Sequence, residues 1–374
     1  MRGRATVGLL AVPLGVALAW AGSPALAASG TTRTATAAAP PPPAVATYEG
    51  PSVGVYAATG LRRAKLRGLE RLSLAPTLLV GSATSGPADD LVAVDPVTGV
   101  RKWTVHHARA GVVVGDGPRV VFGPDSGGVR DPQVNSVWIR EATGKVRRVV
   151  QFANGKGLPG YDPGLDGENG LLGFSVDRAG KTVVVNEGND VDLFVYDVFA
   201  VDVAKGKVTR VTSGRKSRHG VISANGAWVA YDREIGTCGQ PYIRASNLTV
   251  AGGAGFAKKT VLSKGSCTSW LSQPAWVSAR TLVAYRITRS GKTFRGDLVT
   301  VDVRTKKVTA LTTVHDVAFA GAGLVNRVVA YQRDGATSTT VLTLAIDAKT
   351  GAVKIARTVS VKGQVPTVAG DNRF

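Results

Sequence analysis

The chain has 374 residues, 44% hydrophobic and 6% aromatic, and its 46 bases against 26 acids give a formal net charge of +20. The apolar fraction is enough for a sizeable core, and the scarcity of aromatic rings argues against nucleic-acid binding by base stacking. Length alone would allow two domains, but a repeat described below accounts for nearly all of it as one.

In chain order, Arg2 and Arg4 precede an apolar run from Ala5 to Trp20 and the small-residue site Ala25-Leu26-Ala27. That layout predicts a secretory signal peptide over 1–27, cleaved before Ala28. A membrane anchor is the alternative, opposed by the shortness of the run and by Pro13. The mature chain is then expected to be secreted or held at the cell envelope, with no transmembrane span after cleavage. Residues 28–47, rich in Ala, Thr and Pro, read as a tether, and 48–374 as the folded domain. Within 61–72, LRRAKLRGLERL, the leucines fit a helix only loosely, and Gly60 and Gly68 argue for strands.

From residue 78 onward a unit recurs six times. Its core strands are LLVGS (78–82), RVVFG (119–123), TVVVN (182–186), WVAYD (228–232), LVAYR (282–286) and VVAYQ (328–332). Each leads to a turn: DPVTG from Asp95, REATG from Arg140, DVAKG from Asp202, NLTVA near Asn247, DVRTK from Asp302 and DAKTG from Asp347. Subtraction of those positions gives spacings of 45, 62, 45, 55 and 45 residues, the length of a four-stranded propeller blade. The composition of the strands, rich in Val, Ala and Tyr, is that of β-sheet. The expectation is an all-β propeller of six four-stranded blades. Seven is the alternative: 48–75 could supply a further partial blade, and QVPTVAG (364–370) could close the ring.

The segments PAWVSARTLVAYR (274–286) and DLVTVDVRTKKVTALTT (297–313) carry a resemblance to the TolB-type propeller repeat, a Pro-x-Trp strand followed by a hydrophobic-Ala-aromatic strand and an Asp-x-x-Thr-Gly turn. GFSVDRAGKTVVV (173–185) and GVISANGAWVAYD (220–232) match its first half. The resemblance covers roughly 76–360. It implies the fold and is weak for function, because such repeats serve many unrelated roles. LVAVDPVTGVRKW (91–103) resembles the quinone-dehydrogenase repeat, but its docking Trp103 is replaced by Arg148, Arg210 and Ile355 in other copies. Trp103 therefore reads as a core residue.

Extra length falls at about 153–172 and 250–275, in blade-to-blade connections. These share a rim with the loops joining second and third strands, and long loops are more often functional than neutral. Cys238 and Cys267 both map to that rim and are expected to form a disulfide, closing about 29 residues for roughly 3 to 4 kcal/mol. Tyr161, Trp270 and the basic loop of Arg215, Lys216 and Arg218, beside the acidic Glu187, Asp190 and Asp192, make that rim the candidate binding site. Asn247-Leu248-Thr249 has the form of a glycosylation acceptor.

No catalytic, cofactor or metal residues are assigned. Ser213, Ser223 and Lys349 open motifs in the order of penicillin-recognising enzymes, but the first two lie too close together. Gly180-Lys181-Thr182 and Gly291-Lys292-Thr293 lack the leading Gly of a phosphate loop, and no G-x-S-x-G elbow is present. The four histidines, His106, His107, His219 and His315, read as solvated. Calcium is the one cofactor left open, by Asp162, Asp166, Glu168 and Asn169, whose spacing is not the standard one. Basic positions such as Lys145, Arg147, Arg148, Lys205 and Lys207 read as charged blade edges, so no specific nucleic-acid partner is expected. The function expected is a monomeric, non-catalytic propeller that binds a protein or cell-wall polymer. The alternative is a secreted propeller enzyme, a hydrolase, lyase or quinone-type dehydrogenase, with its site in the channel.

Overall fold

The computed structural model describes residues 41–368, apart from 85–88, 125–135, 152–169, 189–195, 240–243, 313–316, 324–326, 334 and 348. Seven four-stranded antiparallel sheets follow one another. Blade 1 holds β1 (Pro43–Glu49), β2 (Ser52–Ala57) and β3 (Arg62–Arg67), and blade 2 holds β4 (Glu70–Ala75), β5 (Leu78–Thr84), β6 (Asp89–Val94) and β7 (Arg101–Val105). Blade 3 is β8 (Ala108–Val113), β9 (Val120–Pro124), β10 (Ser136–Arg140) and β11 (Val146–Gln151). Blade 4 is β12 (Gly170–Val176), β13 (Thr182–Gly188), β14 (Tyr196–Asp202) and β15 (Val208–Arg210). Blade 5 is β16 (Ser217–Ile222), β17 (Trp228–Thr237), β18 (Arg244–Gly252) and β19 (Lys258–Ser263). Blade 6 is β20 (Ser269–Trp276), β21 (Thr281–Ser290), β22 (Thr293–Asp302) and β23 (Val308–Ala310). Blade 7 is β24 (Val317–Gly323), β25 (Val328–Arg333), β26 (Ser338–Ile346) and β27 (Val353–Lys362), and β28 (Gln364–Val368) returns to pair with β1 as the first strand of blade 1.

The count is thus seven blades, not six. The seventh escaped the repeat because it is split between the two ends of the chain, and its outer turn at Ala57–Leu61 closes on Gly60 without the Asp of the other copies. Its second strand also overlaps the expected tether: Ala44, Val45 and Ala46 are fully buried, so residues 43–47 belong to the propeller. As expected, 61–72 forms strands, and each of the six quoted core strands is the second strand of its blade.

The packing explains why Val and Ala dominate those strands. Second strands are covered on both faces by neighbouring blades, and Val183–Val185 and Leu282–Ala284 are completely buried. Outer strands are wetter; Val308, Thr309 and Ala310 of β23 are all exposed. Each of the seven blade interfaces has its own apolar cluster. Leu74, Leu79 and Val55 join blades 1 and 2, Trp276, Leu282 and Leu248 join 5 and 6, and Val45, Val328 and Val368 join 7 and 1.

Two further expectations change. NLTVA is not a turn but lies inside β18, where Leu248 is buried and Asn247 Oδ1 accepts the N–H of Gly265 at 2.9 Å, a poor acceptor for a glycan. The turn of that blade is at Ala254–Phe256 instead. Consequently 250–275 is not an inserted loop: it is the end of β18, that turn, β19 and most of β20, with 264–268 as the connection. No helix among the described residues is long and apolar enough to cross a membrane.

Candidate functional site

In an antiparallel blade, loops alternate between two rims. The connection rim carries the second-to-third-strand loops and the blade-to-blade links; the turn rim carries the others. On the connection rim the hairpins of blades 5 and 6 are long among the described residues. Their second and third strands are ten, nine, ten and ten residues long. At about 3.3 Å per residue, a ten-residue strand runs about 33 Å.

The disulfide pins these hairpins. Cys238 follows β17, Cys267 sits in the link to β20, and the two are bonded with a Cα–Cα distance of 5.2 Å. Arg289 of β21 braces the same corner: its Nη1 donates to Cys238 O at 2.6 Å and its backbone N–H to Thr268 O at 2.8 Å. Its guanidinium also lies 5.8 Å from the centroid of Phe294. Trp270 does not project. It is 6% exposed, packed with Cys238, Ala245 and Ile287 under the hairpins, and meets Phe294 edge-on at 6.3 Å. The indole is the floor of the site and Phe294, 40% exposed, its apolar surface, while Ile235, 46% exposed, lies on the neighbouring hairpin of blade 5.

Arg215 and Lys216 lie on the link from blade 4 to blade 5 and Arg218 at the start of β16, on the same rim, with Lys216 exposed and the two arginines half-buried. Tyr161, Asp190 and Asp192, the calcium candidate at 162–169 and the first expected insertion at 153–172 lie outside the described residues, except for 170–172 in β12. The sequence continues the basic field with Arg233, Lys264, Lys292 and Arg295, all exposed. Between Ser213 and Gly296 the acids are Asp232 and Glu234 alone. Asp232 is fully buried and Glu234 pairs with Arg244. The turn rim is also basic, but acids are built into its turns: Asp95 pairs with Lys102 at 3.2 Å, Glu141 with Arg147 at 3.1 Å and Asp302 with Arg280 at 2.6 Å.

Facing the channel side, bulges on the innermost strands are clamped by the preceding blade. Asn186 exchanges hydrogen bonds with the backbone of Gly220, at 2.6 and 3.1 Å. In the next blade Asp232 Oδ2 takes the Ser272 hydroxyl at 2.6 Å, the Gln273 N–H at 3.2 Å and His219 Nδ1 at 2.6 Å. His219 is therefore not simply solvated: Asp232 holds its ring at Nδ1. His106 is solvated, 75% exposed and 3.0 Å from Asp90. Among the described residues no group of three or more His, Cys, Asp or Glu could hold a metal ion. A cleft of about 620 Å³ opens on the same rim between blades 1 and 2, lined by Tyr48, Pro51, Leu69, Glu70, Arg71 and Ser82. Burial raises the Tyr48 phenol above its ordinary value, so it remains a neutral donor there.

Arg289, Phe294 and Ile235 went unrecognised in the sequence. The signal was present in strand length: apolar-polar alternation in WVAYDREIGT runs past the five-residue core, and Ser290-Gly291 marks a tight hairpin end.

No protein-family model matches the chain, and no curated protein matches its sequence. Solved structures do match in shape. The tricorn protease is similar over 85% of this chain at 11% identity and a TM-score of 0.57, and the chain spans 34% of its length. The β-propeller domain of the Trilobed protease from Pyrococcus furiosus matches over 79% of this chain and 83% of its own, at 9% identity and a TM-score of 0.55. TolB from Acinetobacter baumannii matches over 71% of this chain and 62% of its own, at 16% identity and a TM-score of 0.43. At such identities the likeness speaks for the fold. The chain is a seven-bladed β-propeller.

Proposed function

We propose that this propeller works by binding, and that it engages a protein or envelope polymer through the connection rim of blades 5 and 6. The observation that carries the reading is the pair of long hairpins, pinned by Cys238–Cys267 and bearing exposed Phe294 and Ile235 among cations without free acids. A rigid apolar patch ringed by charge of one sign is suited to steer and hold an anionic partner. Arg215, Lys216 and Arg218 extend this field; Trp270 supports it from beneath.

The setting is extracytoplasmic. In support stand the leader-like residues 1–27 and the disulfide, a bond that persists in oxidising compartments. Intact mass of secreted protein should place the mature start within a few residues of Ala28.

The binding reading is tested by retention on isolated cell envelope. Reversing Lys216, Lys292 and Arg295 to Glu should weaken retention at least tenfold at physiological salt, whereas reversing Lys205 and Lys207 on the turn rim should change it little. Equal loss from both sets would mean nonspecific attraction to a chain of charge +20 and would overturn the reading.

A further inference from the structure

One carboxylate stands apart from the rest. With 46 bases against 26 acids, acids are the scarcer sign, and those whose side chains the structure describes are otherwise all engaged. Asp89 pairs with Arg71, Asp90 with His106 and Asp116 with Arg178, while Asp177, Asp202 and Asp347 accept N–H groups of their own turns. The exception is Glu70, the first residue of β4, whose exposed carboxylate makes no hydrogen bond or ion pair among the described residues. It does so with Arg67 and Arg71 close by in the chain.

Glu70 lines the cleft of about 620 Å³ between blades 1 and 2, together with Tyr48, Pro51, Leu69, Arg71 and Ser82. Neighbours along a strand normally point to opposite faces. β4 is bulged between Glu70 and Ser73, with Arg71 left-handed at φ 47°, and a bulge re-aims side chains, so both residues reach the cleft. Asp89 holds Arg71 at 3.3 Å, which leaves the three charges with one net negative, on Glu70. Arg67 lines a neighbouring cleft, not this one. The field of Glu70 reaches the Tyr48 phenol: burial pushes that group above its ordinary value, and the carboxylate pushes it further. Pro51 and Leu69 add apolar wall.

We propose that this cleft takes a primary ammonium group at the end of a methylene stem, as a lysine side chain of a partner protein presents it. The ammonium pairs with Glu70, and the stem lies along Leu69, Pro51 and the Tyr48 ring, whose neutral phenol keeps a π-face attractive to a cation. The volume suits a lysine with its flanking residues. A cation site on a chain of charge +20 runs against the bulk field, so nonspecific attraction does not supply it. The cleft shares the connection rim with the surface of blades 5 and 6 and carries the opposite sign. It therefore goes beyond that surface, and one partner bearing acids and lysines can engage both.

The test titrates the full disulfide-bonded chain with acetyl-Ala-Lys-Ala-amide and follows the backbone amide signals of Gly50, Gly68, Glu70 and Ser82 by NMR. Its comparators are the same peptide with norleucine for lysine, which keeps the stem and loses the charge, the peptide acetylated on the lysine amine, and glucosamine, an ammonium without a stem. The lysine peptide should give saturable shifts at those amides, and each comparator should bind more weakly by about threefold or more, the scale of an exposed ion pair. Glu70→Gln, at an exposed position, should weaken binding by the same factor, and Glu70→Asp should restore part of it. Equal binding of the norleucine peptide, undiminished binding by Glu70→Gln, or no saturable shift at those amides overturns the site. Glucosamine binding as tightly as the lysine peptide overturns the lysine source in favour of an amino sugar. Reversal of Lys216, Lys292 and Arg295 should leave this titration unchanged, so its failure and the failure of envelope binding are read separately.

Discussion

At the scale of single residues, the outer turns show how a short motif fixes geometry. Asp95 Oδ1 accepts the N–H groups of Val97 and Thr98 at 2.9 and 3.0 Å, and Asp202, Asp302 and Asp347 repeat the arrangement. The chain then turns through a left-handed residue: Gly99, Gly206 and Gly351 at φ 74°, 66° and 74°, but Lys306 at 61°. A side chain there costs about 1 kcal/mol, so Lys306→Gly is expected to raise stability by about 0.5 kcal/mol after its added chain entropy, measured by urea unfolding. The Thr98 N–H, above all, holds the Asp95 carboxyl down at about 2. A carboxylate whose pKa is lower folded than unfolded stabilises the fold above the unfolded value, and that contribution disappears as pH falls through it toward the folded one. Asp95→Asn should therefore cost about 1 to 2 kcal/mol at neutral pH, and the gap from the parent should close between pH 4 and 2. A gap unchanged at pH 2 would contradict the assignment.

At the scale of elements, the hairpins of blades 5 and 6 turn on one covered corner. Trp270 lies beneath Cys238 and against Phe294, so Trp270→Ala should destabilise the protein by about 3 kcal/mol. Reduction of the disulfide should cost about 2 to 4 kcal/mol. Both losses are read from chemical unfolding. Neither should act as a selective binding defect when the protein is kept folded, which separates a supporting residue from a contacting one. The cysteine pairing was legible because strand counting put both on one rim. Trp270 was not, since nothing local to a strand start reveals that an overlong neighbouring hairpin will cover it. Asn247-Leu248-Thr249 misled for a related reason: its polar residues suggest a turn, while Leu248 faces the interface between blades 5 and 6. The expected insertion at 250–275 followed from that misplaced turn.

At the scale of the whole molecule, seven interfaces close one ring, and the last closure joins the ends of the described chain. Val368 of β28 is buried against Val45 and Val328, and Thr47 donates to Lys362 O at 2.6 Å. Six blades were legible because each carries its own Val-rich second strand and, in most, an Asp-capped turn. The seventh was legible only as an alternative, since half its evidence lies more than 300 residues from the rest. Deletion of 364–374 should lower the unfolding midpoint and strip exchange protection from Ala44, Val45 and Ala46 before the amides of blades 3 to 5. Unchanged protection there would contradict closure by β28. The position of the binding surface is the further claim at this scale, and composition alone could not give it, because both rims are basic. What sets blades 5 and 6 apart is their sequence: from Ser213 to Gly296 the acids are Asp232, which is buried, and Glu234, which pairs with Arg244.

Site-specific photo-cross-linking tests that claim most directly. A photoreactive residue replaces Thr293 on the hairpin of blade 6 or, in a second protein, Lys205 on the turn rim, and each is irradiated with isolated envelope at physiological salt. The account requires a discrete cross-linked product from position 293 that excess unlabelled protein competes away, and none from position 205. A competed product from position 205 alone would contradict it.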